Sequence, residues 1–199
     1  MAAVNGKAVE LTMEELRAVA RFAADCAESV LPDFEAEAPE NSRPREALHA
    51  ARVFAEGGAR TNLQRTAAFA AHRAAQSVSA ETAQLAALAC GDAAASAYLH
   101  PIAEATQVGH ILRAAACAAR VAELRADDEG TTSSDSVGVL VERAAPPVPD
   151  VLRRYPAAPH GASRLSRLMS ALDTAIRQRT SEAKPIDDER SNEGRTDSR

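Results

Sequence analysis

The feature that most constrains this chain is a long alanine-dominated stretch over residues 66–123. Alanine has the best intrinsic helix propensity, and its small side chain lets helices approach to the short end of the usual interaxial range of roughly 8–10 Å. Apolar residues in this stretch recur at helical spacing, and a helix that is apolar around most of its circumference belongs inside a bundle. The sequence therefore predicts closely packed helices at the centre of the fold.

The flanking segments extend this prediction to an all-α fold, an alanine-rich bundle of about seven helices. Capping residues at helix starts, and proline or glycine at helix ends, divide the chain. Helices are predicted at about residues 12–31, 43–56, 62–78, 79–99, 104–125, 137–141 and 163–176, with one further turn near 150–154. Residues 33–41 are expected to be a connector, because Pro32 stops the first helix and Pro39 interrupts the acidic stretch after it.

The chain is expected to form one domain. A flexible arm over residues 1–11 precedes a helical domain over 12–179, and residues 180–199 are predicted to be a disordered tail, because their charged and small residues lack hydrophobic periodicity. Aromatic residues make up 3% of the chain, so the core must be built from alanine, leucine and valine. In the third helix the predicted buried line is Leu63, Ala67, Ala70, Ala74 and Val78.

Charge is distributed unevenly along the sequence. Residues 1–41 hold nine acidic and three basic side chains, whereas residues 43–73 hold six arginines against Glu46 and Glu56. We expect the acidic first helix to cover the basic second and third helices. This arrangement argues against a nucleic-acid partner, because binding to nucleic acid requires an uncompensated basic face.

Cysteine use and hydropathy indicate a cytoplasmic protein. Cys26, Cys90 and Cys117 lie in alanine-rich segments without CxxC spacing, as expected for small buried hydrophobes in a reducing compartment. We expect no signal peptide and no membrane partner, since no apolar run approaches the roughly 18 residues of a membrane span. The sequence also lacks motifs for nucleotide binding, zinc proteolysis or serine hydrolysis, so no catalytic residue and no cofactor are predicted.

Asp92 is the polar residue that most needs an explanation. It lies at i+4 from Leu88 and i+7 from Leu85, so its carboxylate is expected to point toward the core. A buried carboxylate requires a partner, and the candidates are His72, His110 and a nearby arginine. The favoured interpretation of this buried polar cluster is a structural ion pair that fixes helix register. The alternatives are a functional acid in a small cavity, and a rotated helix that leaves Asp92 in water.

The histidines raise a further possibility, a metal site. His72, His100 and His110 could join Asp92 as ligands, because helical bundles build such sites from facing helices. Known sites use paired short-range ligands such as Glu-x-x-His, a spacing that this sequence does not repeat. Satisfied core or edge histidines are therefore the favoured interpretation, and no metal is predicted.

Arg43, Arg45 and Arg52 are the candidate partner-binding residues. They cluster at and after the start of the second helix, where they could form a cationic grip for an acidic protein. An ordinary solvated helix start is the favoured interpretation.

Several segments together resemble the bacterial Imm-five-like immunity-protein family. These are RPREAL at 43–48, AAR at 50–52, AAHRAA at 70–75, and HIL at 110–112 leading into AAA at 114–116. The order and spacing of these segments carry the resemblance, which spans roughly residues 11–176. Many members read Gly-His-Ala where this chain has Gly91-Asp92-Ala93, so a histidine role shared by those members would be partly missing here.

The resemblance implies an all-helical cytoplasmic protein that binds and neutralises a cognate toxin. The first functional hypothesis is therefore a non-catalytic binding protein of the immunity type, whose partner is a protein. The second is a helical-bundle enzyme or a ligand- or metal-binding protein that uses Asp92, His72 and His110. A third is a general scaffold or regulatory partner.

Overall fold

The structure, a computed structural model, describes residues 8–129 and 136–179. In these residues it contains nine α-helices. They are α1 (Met13–Glu28), α2 (Leu31–Glu37), α3 (Arg43–Ala55), α4 (Asn62–Ala75), α5 (Glu81–Ala95), α6 (Val108–Asp128), α7 (Ser136–Arg143), α8 (Val148–Arg153) and α9 (Arg164–Gln178). Single 3₁₀ turns follow α5 and precede α6. The all-α prediction is confirmed.

The predicted connector over residues 33–41 is wrong, because most of it belongs to α2. Pro32 occupies the first turn of α2, where its missing N–H is not needed, so it starts this helix instead of only ending α1. Leu31 and Phe34 are buried and anchor α2 to the core. At its other end, Glu37 accepts a hydrogen bond from the Ser79 backbone N–H at 2.7 Å, which lowers the pKa of this carboxyl.

Helices α5 and α6 form the centre of the molecule. In α5 every residue from Ala83 to Ala94 except Gln84 and Leu88 is buried, and α6 is buried along most of its first three turns. α1, α2, α3 and α4 pack against α5, while α9 covers α6 from the other side. The alanine-rich stretch is thus the centre of the bundle, as its composition predicts.

The first turn of α4 faces differently from the prediction, whereas Ala74 and Val78 of the predicted line are buried. Leu63, which was expected on the buried line, has 52% of its surface exposed, whereas Gln64 is 1% exposed. Gln64 completes a capping box with Thr61, and its amide Nε2 donates to the Ala50 carbonyl of α3. Both ends of this side chain are therefore satisfied inside the bundle, and the small residues Ala68 and Ala71 form the packing face instead of Leu63.

The expected cover of acidic on basic helices holds for α3 and is wrong for α4. Asp25 and Glu28 of α1 both form ion pairs with Arg52 of α3. α1 packs on α3, α5 and α6, so its carboxylates do not extend over α4. The arginines of α3 and α4 consequently lie in different electrostatic surroundings.

Residues at the start of the described chain contact the domain. The Val9 backbone N–H donates to the Pro101 carbonyl at 3.0 Å, and Arg154 donates to the Glu10 carbonyl at 2.7 Å. Residues 1–7 of the predicted arm and the predicted tail over 180–199 lie outside the described residues. None of the described helices has the length and apolar character needed to cross a membrane.

Candidate functional site

Asp92 lies on α5, between α4 and α6, and only 7% of its side chain is exposed. Oδ1 lies 3.3 Å from Nε2 of His72 on α4 and 3.6 Å from Nε of Arg113 on α6. The carboxylate therefore faces two basic side chains from the two neighbouring helices. Each contact joins a different helix to α5, as a structural ion pair would.

His72 reaches Asp92 because the residue before Asp92 is glycine. A Cβ atom built on Gly91 would lie 2.3 Å from His72 Cδ2 and 2.5 Å from Nε2, and 3.0 Å from the Ala68 carbonyl oxygen. The imidazole thus lies directly over the α5 backbone. Nε2 is buried and makes no hydrogen bond within the described residues, so its 3.3 Å approach to Asp92 Oδ1 is a contact without hydrogen-bond geometry.

Arg113 closes the cluster from the solvent side. Its side chain is 47% exposed, and the guanidinium lies over Gly109, one turn earlier in α6. Asp92 is thus covered by a half-exposed cation above and by the imidazole beside it. An exposed cation contributes little net stability through such a pair, but it supplies the counter-charge that a buried carboxylate requires.

His110 lies beside the cluster without pairing directly with Asp92. Burial lowers the pKa of His110, and the neighbouring Arg113 acts in the same direction, while the Asp92 carboxylate opposes both. The neutral imidazole is therefore favoured in the folded state. His100 is exposed, its backbone N–H donates to Gln107 Oε1, and its carbonyl accepts a hydrogen bond from Tyr155.

The cluster is arranged to satisfy its own charges. A general acid or base acts at about 3 Å from the substrate atom with which it exchanges a proton. Here the side chains of His72 and Arg113 lie beside Asp92 Oδ1, where such a substrate atom would have to bind. Across residues 8–129 and 136–179, no three His, Cys, Asp or Glu side chains group closely enough to hold a metal ion. The geometry fits the structural ion pair considered from the sequence.

Arg45 and Arg52 line a groove between α3 and α4, with a volume of about 760 Å³ and an apolar floor. The floor includes Leu48, Leu63, Ala67 and Ala70. Both arginines are paired within the protein: Arg45 with Glu35 at 2.5 Å, and Arg52 with Asp25 at 2.5 Å and also with Glu28. Arg43 donates from Nε to Asn41 Oδ1 at 2.8 Å.

The three cysteines are buried and free. Burial raises the pKa of Cys26 and of Cys90 to about 12, and it raises the pKa of Cys117 as well. A thiol whose pKa is this high is almost entirely protonated near neutral pH and is a poor nucleophile. The predicted role of these residues as small core hydrophobes agrees with their burial.

Two residues of the site were not singled out from the sequence. From the sequence, Arg113 is only an unspecified arginine near Asp92, and Gly91 is only part of a family motif. The signal for Gly91 was present, since a glycine within an alanine-rich helix costs about 1 kcal/mol relative to alanine and so suggests a packing reason. The signal for Arg113 was absent, because its distance to Asp92 depends on how α5 and α6 pack.

Fold and site together define a small all-α protein with a buried carboxylate that lies between basic side chains of two neighbouring helices. A family model described as "Imm-5 like putative immunity protein" matches residues 10–136. The chain belongs to this immunity-protein family, which confirms the resemblance found in the sequence. No curated protein and no solved structure matches the chain.

Proposed function

We propose that this protein is a non-catalytic immunity protein that binds a cognate toxin, or a similar protein partner, and neutralises it by covering a functional surface. The observation that carries the proposal is the family match over residues 10–136. The Asp92 cluster supports the non-catalytic part, because its carboxylate is enclosed by His72 and Arg113. The proposal places the complex in the cytoplasm, as the cysteine pattern predicts.

The predicted grip of Arg43, Arg45 and Arg52 is a less favourable docking surface in the folded protein. A partner carboxylate would have to compete with Glu35 for Arg45, and with Asp25 and Glu28 for Arg52. Competition of this kind leaves little net gain from the new contact. Direct contact between these arginines and a partner stays a prediction.

The proposal predicts that a toxin domain is encoded beside this gene, and the test is co-expression with that domain. In a toxin-sensitive bacterial host, the chain is expected to restore growth. The purified chain should also form a stoichiometric complex with a catalytically inactive toxin, measured by size-exclusion chromatography with light scattering. If the chain neither rescues growth nor forms a complex with the neighbouring toxin, the proposal is contradicted.

A matched variant separates binding from catalysis. Asp92→Asn keeps the size of the side chain and removes its charge, so a folded Asp92→Asn protein should still rescue growth if the protein acts by binding. The enzyme or ligand-binding alternative, which uses Asp92 with His72 and His110, requires that this variant fold normally and lose rescue. Thermal unfolding by circular dichroism supplies the necessary check that the variant is folded.

A further inference from the structure

The outer face of α4 carries positive charge that the protein itself does not neutralise. Residues 57–80 contain no aspartate and no glutamate. Arg65 and Arg73 are both exposed, and neither forms an ion pair within the described parts of the chain. The contrast with Arg45 and Arg52 of α3, which are both paired with carboxylates, is therefore sharp.

A large aromatic side chain lies between these two arginines. Phe69 follows Arg65 by four residues and precedes Arg73 by four, so the three side chains share one face of the helix. Phe69 is 58% exposed, the largest fraction among the exposed large hydrophobic residues described. α4 packs on the bundle through alanines and Gln64, so the exposed ring contributes little to its packing face.

Part of this face is held in position before any partner arrives. The Arg65 guanidinium lies 4.9 Å from the centre of the Tyr98 ring, and the Tyr98 hydroxyl donates to the Thr61 carbonyl at 2.6 Å. Arg60 approaches the same ring at 5.8 Å and donates to the Ala97 carbonyl. Stacking on an aromatic ring restricts an arginine without neutralising it, which reduces the entropy lost when it binds an anion.

These properties are those of a protein-binding surface. Aromatic residues and arginine are enriched at interface hot spots, where a central side chain is fully desolvated and charged groups surround it. Uncompensated cations around the centre accelerate association with an acidic partner and select against basic ones. A polyanion such as nucleic acid is less favoured, because the whole chain carries a formal charge of −5.

We propose that Phe69, flanked by Arg65 and Arg73, docks the protein onto an acidic surface of its toxin partner, with the Phe69 ring entering an apolar recess of that partner. The inference rests on the proposed function, since the partner is the toxin. The contact surface inferred here is therefore the outer face of α4 and not the groove between α3 and α4, whose arginines are already paired with carboxylates.

The experiment measures binding of the inactive toxin domain from the neighbouring gene by biolayer interferometry. Phe69→Ser is expected to weaken binding by at least about 30-fold, the loss typical of a hot-spot residue. The double variant Arg65→Glu/Arg73→Glu is expected to slow association by about 10-fold or more at low salt and to remove most of its salt dependence. Arg167→Glu, an exposed charge reversal on α9, is the matched control and should change binding less than about 2-fold.

The outcomes distinguish failure of the proposed function from failure of the inference alone. If the wild-type chain does not bind the toxin, both fall together. If the wild type binds and Phe69→Ser binds equally well, the inference alone is wrong. Loss of binding in Arg45→Ala with Phe69→Ser unaffected would assign the contact to the groove instead. Binding of a DNA duplex of about 20 base pairs at about 150 mM salt, lost in the double variant, would make the face a nucleic-acid site and overturn the inference.

Discussion

The substitution Gly91→Ala, which adds one methyl group, tests whether the contact between His72 and Asp92 stabilises the fold. Substitution by alanine in the middle of a helix normally stabilises a protein by about 1 kcal/mol. Here the new Cβ would lie 2.3 Å from Cδ2 of His72, a distance that no real contact has, so the imidazole must leave its place beside Asp92. The expected effect of the same substitution therefore depends on whether His72 is present.

The magnitudes follow from the contacts. Overpacking costs about 1–3 kcal/mol, and displacing His72 leaves the 7%-exposed carboxylate with Arg113 as its remaining ion-pair partner among the described residues. After the gain in helix propensity is subtracted and the loss of the His72–Asp92 contact is added, Gly91→Ala should destabilise the wild type by about 1–2 kcal/mol. In a His72→Ala background the remaining close contact is 3.0 Å to the Ala68 carbonyl oxygen, which a small shift relieves. There the same change should be neutral or stabilising by up to about 1 kcal/mol.

The assay is urea unfolding followed by far-UV circular dichroism on the wild type, both single variants and the double variant. The cycle should give a coupling energy of at least about 1 kcal/mol between Gly91 and His72. Gly109→Ala on α6 is a matched comparison within the same cluster, because its Cβ would meet the flexible end of Arg113, the other partner of Asp92, which can move aside. Equal destabilisation by Gly91→Ala in both backgrounds would refute the reasoning, since the strain would then come from the helix backbones and not from the imidazole.

Three further predictions concern other parts of the fold. Asp173→Ala should lower the free energy of unfolding by about 2–4 kcal/mol, because this buried carboxylate accepts hydrogen bonds from the Ala158 backbone N–H and from Arg177. Asp150→Ala, which removes an exposed ion pair with Arg153, is the control and should lower it by less than about 0.5 kcal/mol in the same denaturant titration. Because the pKa of His110 is lowered in the folded state, its imidazole binds a proton more tightly in the unfolded chain than in the folded protein. The contribution of His110 to the free energy of unfolding should be fully present above about pH 6.5 and should be lost as the pH falls toward the folded-state pKa. His110→Gln should therefore reduce the pH dependence of the melting temperature between about pH 5 and 7. Ellman's reagent should modify none of the three cysteines in the native protein and all three after denaturation, and rapid native labelling would contradict their burial.

Local signals predicted most of the helix boundaries. The capping box of Thr12 with Glu15 begins α1, Ser163 caps α9, and Gly57 ends α3 with a φ of +113° that favours glycine. These signals succeed because a cap or a left-handed residue is satisfied within a few residues of sequence. Pro32 misled the prediction for the same reason: a proline both ends one helix and starts another, and sequence spacing does not separate the two roles.

The candidate site was predicted in part. The position of Asp92 on a leucine line correctly predicts an inward carboxylate, and His72 was among its candidate partners. The buried residue in the first turn of α4 was predicted wrongly, because Leu63 is more hydrophobic than Gln64, yet Gln64 finds its hydrogen-bond partners in the bundle. The partition of paired and unpaired arginines between α3 and α4 could not be read from the sequence at all.

The sequence by itself determined the fold class, the alanine-rich centre and the inward direction of Asp92, because helix propensity and the period of 3.6 residues act along the chain. Only the tertiary structure decided which side chains meet Asp92 and which cations remain without a counter-charge. Those outcomes depend on the rotation and contact of whole helices, where a shift of one residue turns a helix face by about 100°. The charge left uncompensated on α4 is a consequence of that packing.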